Sequence, residues 1–487
     1  MPGRILLLAN GQATDARAVP RLPVDTFQQL VADALTAGAR VSACFGEAED
    51  GAVRVTAALA NDSEGTVGLL STVARGSLPS LAAECPALER FERALLERHG
   101  LLPAGHPWPR PVRRVDEAGA TFFAMSGDEV HEVAVGPVHA GIIEPGHFRF
   151  QCHGEHVFHL EIALGYQHRG VERLLAAGPD RRTMALAESI AGDTAVGHAL
   201  AAARAQEGLA GVEAPPRAAA LRGVALELER LANHVGDLAA LAGDVGFLPT
   251  ASYCGALRAD FLNALAELCG NRFGRSLVIP GGVRFDVPAD AARRLADRLA
   301  ASFARVEAAA ELFFASPSVR NRTDGTGVLG REAASSLGMV GPSARASGLR
   351  VDVRSTHAFP PYTVDRIPVV TSQTGDVFAR AWVRLEEARA SARLVDRWLR
   401  DLPAGPVRTA VPALPPDRLV VSLVEGWRGE LCHSVATGPG GRFSVYDVVD
   451  ASFHDWKGLE LAMRGEQISD FPLCNKSFNL SYAGHDL

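Results

Sequence analysis

Apolar positions in the N-terminal part of the chain come in short runs at 5–9, 41–45, 53–58 and 65–70, separated by stretches with helical spacing. Runs of this length between polar residues predict strands. Pro86 opens a helix on which Leu88, Phe91 and Leu95 share one face, and Gly100 ends it. A strip with Pro103, Pro107, Pro109 and Pro111, carrying Arg110, Arg113 and Arg114, follows. Prolines at this density keep a chain extended and mark a boundary. The expected organisation is a small unit at 1–114, a linker at 115–135 and a larger domain at 136–487. The larger domain opens with hairpin spacing: Phe148 and Phe150 alternate with polar neighbours, His153-Gly154-Glu155 turns, and 157–162 returns. Beyond Tyr166 the chain is alanine-rich and helical. Leu221, Val224, Leu228, Leu231, Val235 and Leu238 mark one long buried stripe, and Leu385, Ala388, Ala392, Val395 and Leu399 mark another. Strands return near 419–424 and 443–449, joined across a glycine-rich turn at 438–441, and a short helix carrying Trp456, Leu459 and Met463 follows. The predicted class is α+β: a small N-terminal α/β domain, then a mainly helical domain with a β-hairpin at its start and a small sheet near the C-terminus.

Length and charge narrow the possibilities. A chain of 487 residues, 47% hydrophobic and 22% charged, is a folded globular protein with room for two domains. A net charge of −7 argues against nucleic acid as a partner. The seven cysteines stand singly, none closer than 15 residues to the next, which suggests a reducing compartment and no disulfide framework. The first apolar run is too short for a signal peptide, and no run approaches the roughly 18 apolar residues of a membrane span. A soluble or peripheral cytoplasmic protein is expected.

Three groups of residues invite a chemical reading. His153, His156 and His159 fall on a hairpin, where alternation points His156 away from the other two, so ordinary polar roles are favoured over metal binding. Glu227, Arg230, His234 and Asp237 form a polar stripe beside the Leu221 stripe, and Asp376, Arg380 and Arg384 line up similarly. Either stripe can be a solvated face or can be buried against a partner or cavity. The segment Gly165-Tyr166-Gln167-His168-Arg169-Gly170-Val171-Glu172-Arg173 gathers a histidine, two arginines and a carboxylate after a strand. No zinc-protease, serine-hydrolase, phosphate-loop or dinucleotide motif is present.

Several motifs resemble a known family. They are Gly136-Pro137-Val138-His139, Glu144-Pro145-Gly146-His147-Phe148-Arg149-Phe150 and Gly165–Glu172. Glu227-Leu228-Glu229-Arg230-Leu231-Ala232-Asn233-His234 and Pro280-Gly281-Gly282-Val283 follow. Gly341-Pro342, Arg345-Ala346-Ser347-Gly348 and Gly375-Asp376-Val377-Phe378-Ala379-Arg380 come next, then Val424-Glu425-Gly426-Trp427-Arg428-Gly429-Glu430 and Ala451-Ser452-Phe453. In this order they are similar to the large subunit of energy-converting membrane nickel–iron hydrogenases, formate hydrogenlyase type included. They are equally similar to the quinone-site large subunit of respiratory complex I, the 49-kDa type. Pro79-Ser80-Leu81, Glu89-Arg90-Phe91-Glu92-Arg93 and Gly105-His106-Pro107 resemble the 30-kDa-type complex I subunit that is often fused upstream.

The resemblance gives meaning to missing sulfur. In the hydrogenases two CxxC pairs hold the metal. Those positions fall here on Ala191 and Thr194, and on Ser481 and Gly484. Alanine and glycine offer no donor, and hydroxyls are poor ligands for a soft metal, so no nickel–iron centre is expected and hydrogenase catalysis is not expected. Complex I also lacks those cysteines and binds quinone in the vacated cavity with a histidine and a tyrosine. His139 and His147 are candidates for the histidine; no tyrosine falls at its expected place, and His198 or Tyr482 are substitutes. The resemblance implies that His168, Arg169 and Glu172 face an iron–sulfur cluster in a small partner subunit. It makes His139, His147, Asp376, Glu227 and His234 candidate catalytic and relay residues. The implied protein is a subunit of a complex I-like oxidoreductase, cytoplasmic and peripheral on the inner face of the cell membrane, with antiporter-like membrane subunits beside it. It would couple electron transfer to a quinone or other acceptor with ion movement. Two alternatives stay open: an active formate-linked hydrogenase large subunit, and a non-catalytic assembly scaffold.

Overall fold

The computed structural model describes residues 5–113, 122–139 and 143–487. Arg114 and the linker positions 115–121 lie outside the described residues. The N-terminal strands form one sheet in the order Leu6–Ala9, Thr66–Ala74, Ala52–Asn61, Arg40–Glu49, all antiparallel, with Arg21–Leu22 added in parallel. Ala57, Ala58, Leu59 and Ala60 are all buried in succession, so both faces of this sheet are covered. The helix Val24–Thr36 supplies Phe27, Leu30 and Val31 to its core. A single turn at Pro86–Leu88 leads into the helix Glu89–His99, which ends where Gly100 takes a left-handed φ of 66°.

The predicted hairpin, His147–His153 and His156–Ala163, belongs to a three-stranded sheet in which His147–His153 is central and Val130–Val135 forms the other edge. His153 pairs with His156 across Gly154-Glu155, and Phe148 and Phe150 pair with Ile162 and Leu160. Both phenylalanines pack on Phe471 from the C-terminal segment. The strands near the C-terminus, Phe443–Val449, Gly429–Thr437 and Arg418–Gly426, form another sheet, whose edge is extended by Thr14–Asp15 from the start of the chain.

The N-terminal and C-terminal sheets touch directly through the strand Arg40–Glu49, and a group of helices packs beside them. The long helix Pro216–Asp244 packs against Leu248–Cys269 and Val377–Arg400, and Ala289–Ala315 closes the group. The predicted leucine and valine stripe of the long helix is buried, but so are Glu227, Arg230, His234 and Asp237. A helix buried on nearly all sides must bring its charged face inward as well. One apolar core runs from Phe45 and Val55 through Leu228 and Phe261 to Val421. Among the described residues no helix is long and apolar enough to cross a membrane.

Where the proline strip meets the end of the hairpin, backbones touch. Gly165 has φ +106°, and a Cβ there would fall 2.0 Å from the carbonyl oxygen of Arg113. Gly165→Ala therefore costs about 2–3 kcal/mol. Gly154→Ala, at φ +57° with open space around it, costs about 1 kcal/mol. Denaturant midpoints of the two variants should differ in that order.

Candidate functional site

Residues 188–194 and the C-terminal segment, far apart in sequence, meet at one guanidinium. Arg169 donates to the carbonyls of Ser189 (2.6 Å) and Ile190 (2.8 Å) and to that of Ala483 (3.2 Å). Ala191, Thr194, Ser481 and Gly484 are all buried around this junction. The Thr194 hydroxyl lies 3.2 Å from Asp193. The Ser481 hydroxyl caps the terminal helix Tyr482–Asp486 by accepting from the Gly484 N–H at 2.9 Å. Gly484 is pressed against Asp450: a Cβ there would be 2.6 Å from the carboxyl carbon.

Two polar assemblies fill the space beside these four residues. In one, Arg428 forks onto Asp193 at 2.7 and 2.8 Å, donates through Nε to the Asn479 carbonyl, and lies 3.9 Å above the Trp427 ring. Burial opposes charge on Asp193, and Arg428 overrides it, leaving the carboxyl below its ordinary range. In the other, the Asp450 carboxylate is 3.1 Å from His198 Nε2, His198 Nδ1 is 3.1 Å from His433 Nε2, and His433 Nδ1 is 3.0 Å from the Tyr446 hydroxyl. Burial again opposes ionisation, but the His198 hydrogen bond, with Arg428 behind it, brings Asp450 down to about 2. His198 is thus engaged at both ring nitrogens.

The polar stripe of the long helix forms a second centre. Glu227 meets both Arg354 (3.1 Å) and Arg230 (3.2 Å) and accepts from Ser391 and Tyr362, each at 2.5 Å. Burial resists this charge, yet Arg354 and Arg230 hold the carboxyl at about 2. Arg345 bridges Glu387 (2.7 Å) and Glu425 (2.8 Å). Burial, reinforced by nearby Asp352, lifts Glu425 to about 7. His234 Nε2 is 3.0 Å from Glu387, and burial lowers its affinity for a proton. Asp237 contacts Arg384 at 2.8 Å, and Asp376 caps the helix Val377–Arg400 through the Ala379 N–H while also holding the Gly325 N–H.

The other anticipated residues fall at two places. His168 and Arg169 are exposed and line an open groove of about 1010 Å³ facing the N-terminal sheet. His168 Nδ1 is fixed 2.8 Å from the Asp486 carbonyl. Glu172 and Asp447 share Arg98 at 2.5 and 2.7 Å, and burial together with Glu172 pushes Asp447 up to about 6. His139 and His147 sit at the foot of the hairpin, against the carbonyls of Gly146 (2.9 Å) and Gly136 (3.2 Å). Tyr482 packs on the other side of Gly146, where a Cβ would be 2.5 Å from its ring. His153 instead faces Glu129 at 3.2 Å. Among the described residues no three His, Cys, Asp or Glu side chains gather as a metal site. Asp193, Asp450, His433, Arg354, Glu387 and Asp447 had no assigned role from the sequence. The available signal was charge embedded in apolar runs, as at Val424-Glu425 and Val448-Val449-Asp450.

With this geometry in place, comparison with known proteins defines the class. Residues 244–421 match the family of the respiratory-chain NADH dehydrogenase, 49 Kd subunit. The carbon monoxide-induced hydrogenase of Rhodospirillum rubrum is 31% identical over 355 residues, 72% of this chain and 97% of that protein. NADH-quinone oxidoreductase subunit 4 of Thermus thermophilus is 30% identical over 369 residues, 70% of this chain and 90% of its own length. A solved archaeal membrane-bound sulfane sulfur reductase shares the fold, with a TM-score of 0.69 at 24% identity, covering 74% of this chain and 99% of that one. The chain belongs to the oxidoreductase family that unites the complex I 49-kDa-type subunit with the large subunits of membrane-bound hydrogenases.

The Glu227 network yields a pH-dependent prediction. A carboxyl depressed from 4.5 to about 2 stabilises the fold above the unfolded value and loses that contribution as pH falls through the folded one. Glu227→Gln should therefore destabilise by about 3–5 kcal/mol at neutral pH, since it strands buried guanidiniums. That deficit should shrink between roughly pH 4.5 and 2. Denaturant unfolding of both proteins across this range measures it.

Proposed function

We propose that this chain is the large subunit of a membrane-associated, complex I-like oxidoreductase complex. It accepts electrons from an iron–sulfur cluster in a small partner subunit and delivers them to a quinone or another acceptor, without a nickel–iron centre. The donor set carries the reading. Ala191 and Gly484 bring no ligand, the Ser481 hydroxyl is committed to a helix cap, and the Thr194 hydroxyl lies within the Asp193–Arg428 pair. Cys474 is buried beside Gly327 and Arg380, and burial pushes its thiol up to about 12, far from a metal-binding thiolate. These residues do not fit a nickel–iron group.

Family membership supports the rest of the assignment: peripheral attachment at the inner face of the membrane, with antiporter-like subunits adjoining. The groove with His168 and Arg169 is the docking face for the small iron–sulfur subunit. A cluster bound there supplies one-electron transfer. Arg169 lowers the energy of the added negative charge. Asp447, held near 6 beside Glu172 and Arg98, is placed to take up a proton when that charge arrives. Further in, Glu425 and His234 are the relay groups, because Glu227 is pinned as an anion between Arg354 and Arg230. A quinone head group would be held where His139 and Tyr482 flank Gly146. His198, closed in by Asp450 and His433, serves as a positioning group.

The test uses the purified membrane complex. Metal analysis should find iron without stoichiometric nickel, and stoichiometric nickel would overturn the reading. Arg169→Met should lower the midpoint potential of the neighbouring cluster, with Arg169→Lys restoring most of it. An unchanged potential in Arg169→Met would remove the groove from the electron path.

A further inference from the structure

A cavity of about 200 Å³ lies apart from both charged centres, between the helix Glu89–His99, the strand His156–Ala163 and the helix Ala451–Ala462. Four cations face it: Arg90, Arg93, Arg110 and Lys457. Three carboxylates face it too, and each is already matched. Glu89 accepts from Arg93 at 2.6 Å, Glu161 from Arg110, and Glu460 from Lys457 at 2.5 Å.

Arg90 is the cation held least, because its one ion-pair partner here, Glu89, already accepts from Arg93. Its Nε stands 3.9 Å from Glu89, beyond hydrogen-bond reach. Nε and Nη1 of Arg90 are buried and donate to no partner among the described residues, and Nη2 of Arg110 is in the same position. The two side chains are only 9% and 7% exposed. Burial, with Arg93 nearby, lowers the Arg90 guanidinium's hold on its proton despite the opposing pull of Glu89 and Glu460. Two histidines on the wall, His159 and His485, are shifted down by burial and add no charge at neutral pH.

An oxyanion meets these conditions. It brings negative charge for the surplus cation and several lone pairs for idle N–H donors, whereas a neutral occupant would supply no counter-charge. We propose that the cavity binds one small oxyanion, a carboxylate or a phosphate, with Arg90 and Arg110 as its donors. The bound ion would bridge the N-terminal unit, through Arg90, to the hairpin and C-terminal helix that surround the cavity. This assignment does not depend on which acceptor the complex reduces.

Calorimetric titration of the purified complex with sodium phosphate, and separately with sodium formate, distinguishes the two sources. Saturable binding of phosphate alone identifies a tetrahedral ion; binding of formate alone identifies a carboxylate. Arg90→Met should weaken the binding by about tenfold or more, as loss of a charge-assisted donor pair requires. Arg90→Lys should weaken it less, because the charge stays. Should Arg90→Met not assemble, Arg110→Lys, which keeps a cation for Glu161, should weaken binding several-fold. Failure of both anions to saturate the wild-type complex overturns the proposal. So does unchanged affinity in the assembled Arg90 and Arg110 variants.

Discussion

The contact between Glu227 and the guanidiniums of Arg354 and Arg230 fixes how the helices of the core can meet. A carboxylate at the centre of a protein survives only with cations and donors close by, because desolvation would otherwise neutralise it. Here the acid comes from the long helix, one arginine from the same helix, the other from the Val353–Thr356 turn, and a hydroxyl from the helix Val377–Arg400. Three stretches of chain are thereby held in one register. The apolar packing around them could slide; a fork of charge-assisted hydrogen bonds cannot.

The same principle recurs wherever the molecule buries charge. Arg428 holds Asp193, Arg384 holds Asp237, Arg345 holds Glu387 and Glu425, and Arg98 holds Glu172 and Asp447. Glu387 and Glu425 share Arg345 yet diverge: the cation and His234 hold Glu387 low, while burial and Asp352 raise Glu425, as burial and Glu172 raise Asp447. That division separates fixed charge from charge that titrates near ordinary pH.

Much of the architecture was legible from spacing. The alternation at Phe148 and Phe150, the three-four stripe from Leu221 to Leu238, and the Gly100 stop each correspond to an observed element. The pairing of Thr14–Asp15 with the C-terminal sheet was not legible, since two residues carry no period. Likewise the burial of Arg230 and His234 could not be decided, because a helical repeat shows which residues share a face and not what covers that face.

The sequence by itself determined which donors exist. With Ala191, Thr194, Ser481 and Gly484 in place, no folding of the chain can put sulfur there. It also determined the family, through motifs whose order survives from the hairpin to the C-terminus. Only the tertiary structure decided that Arg169 closes 188–194 onto the last helix, that Asp450 reaches His198, and that two buried N–H groups of Arg90 find no acceptor among the described residues. Ion pairing and desolvation act across space between residues hundreds of positions apart. No local pattern encodes that distance.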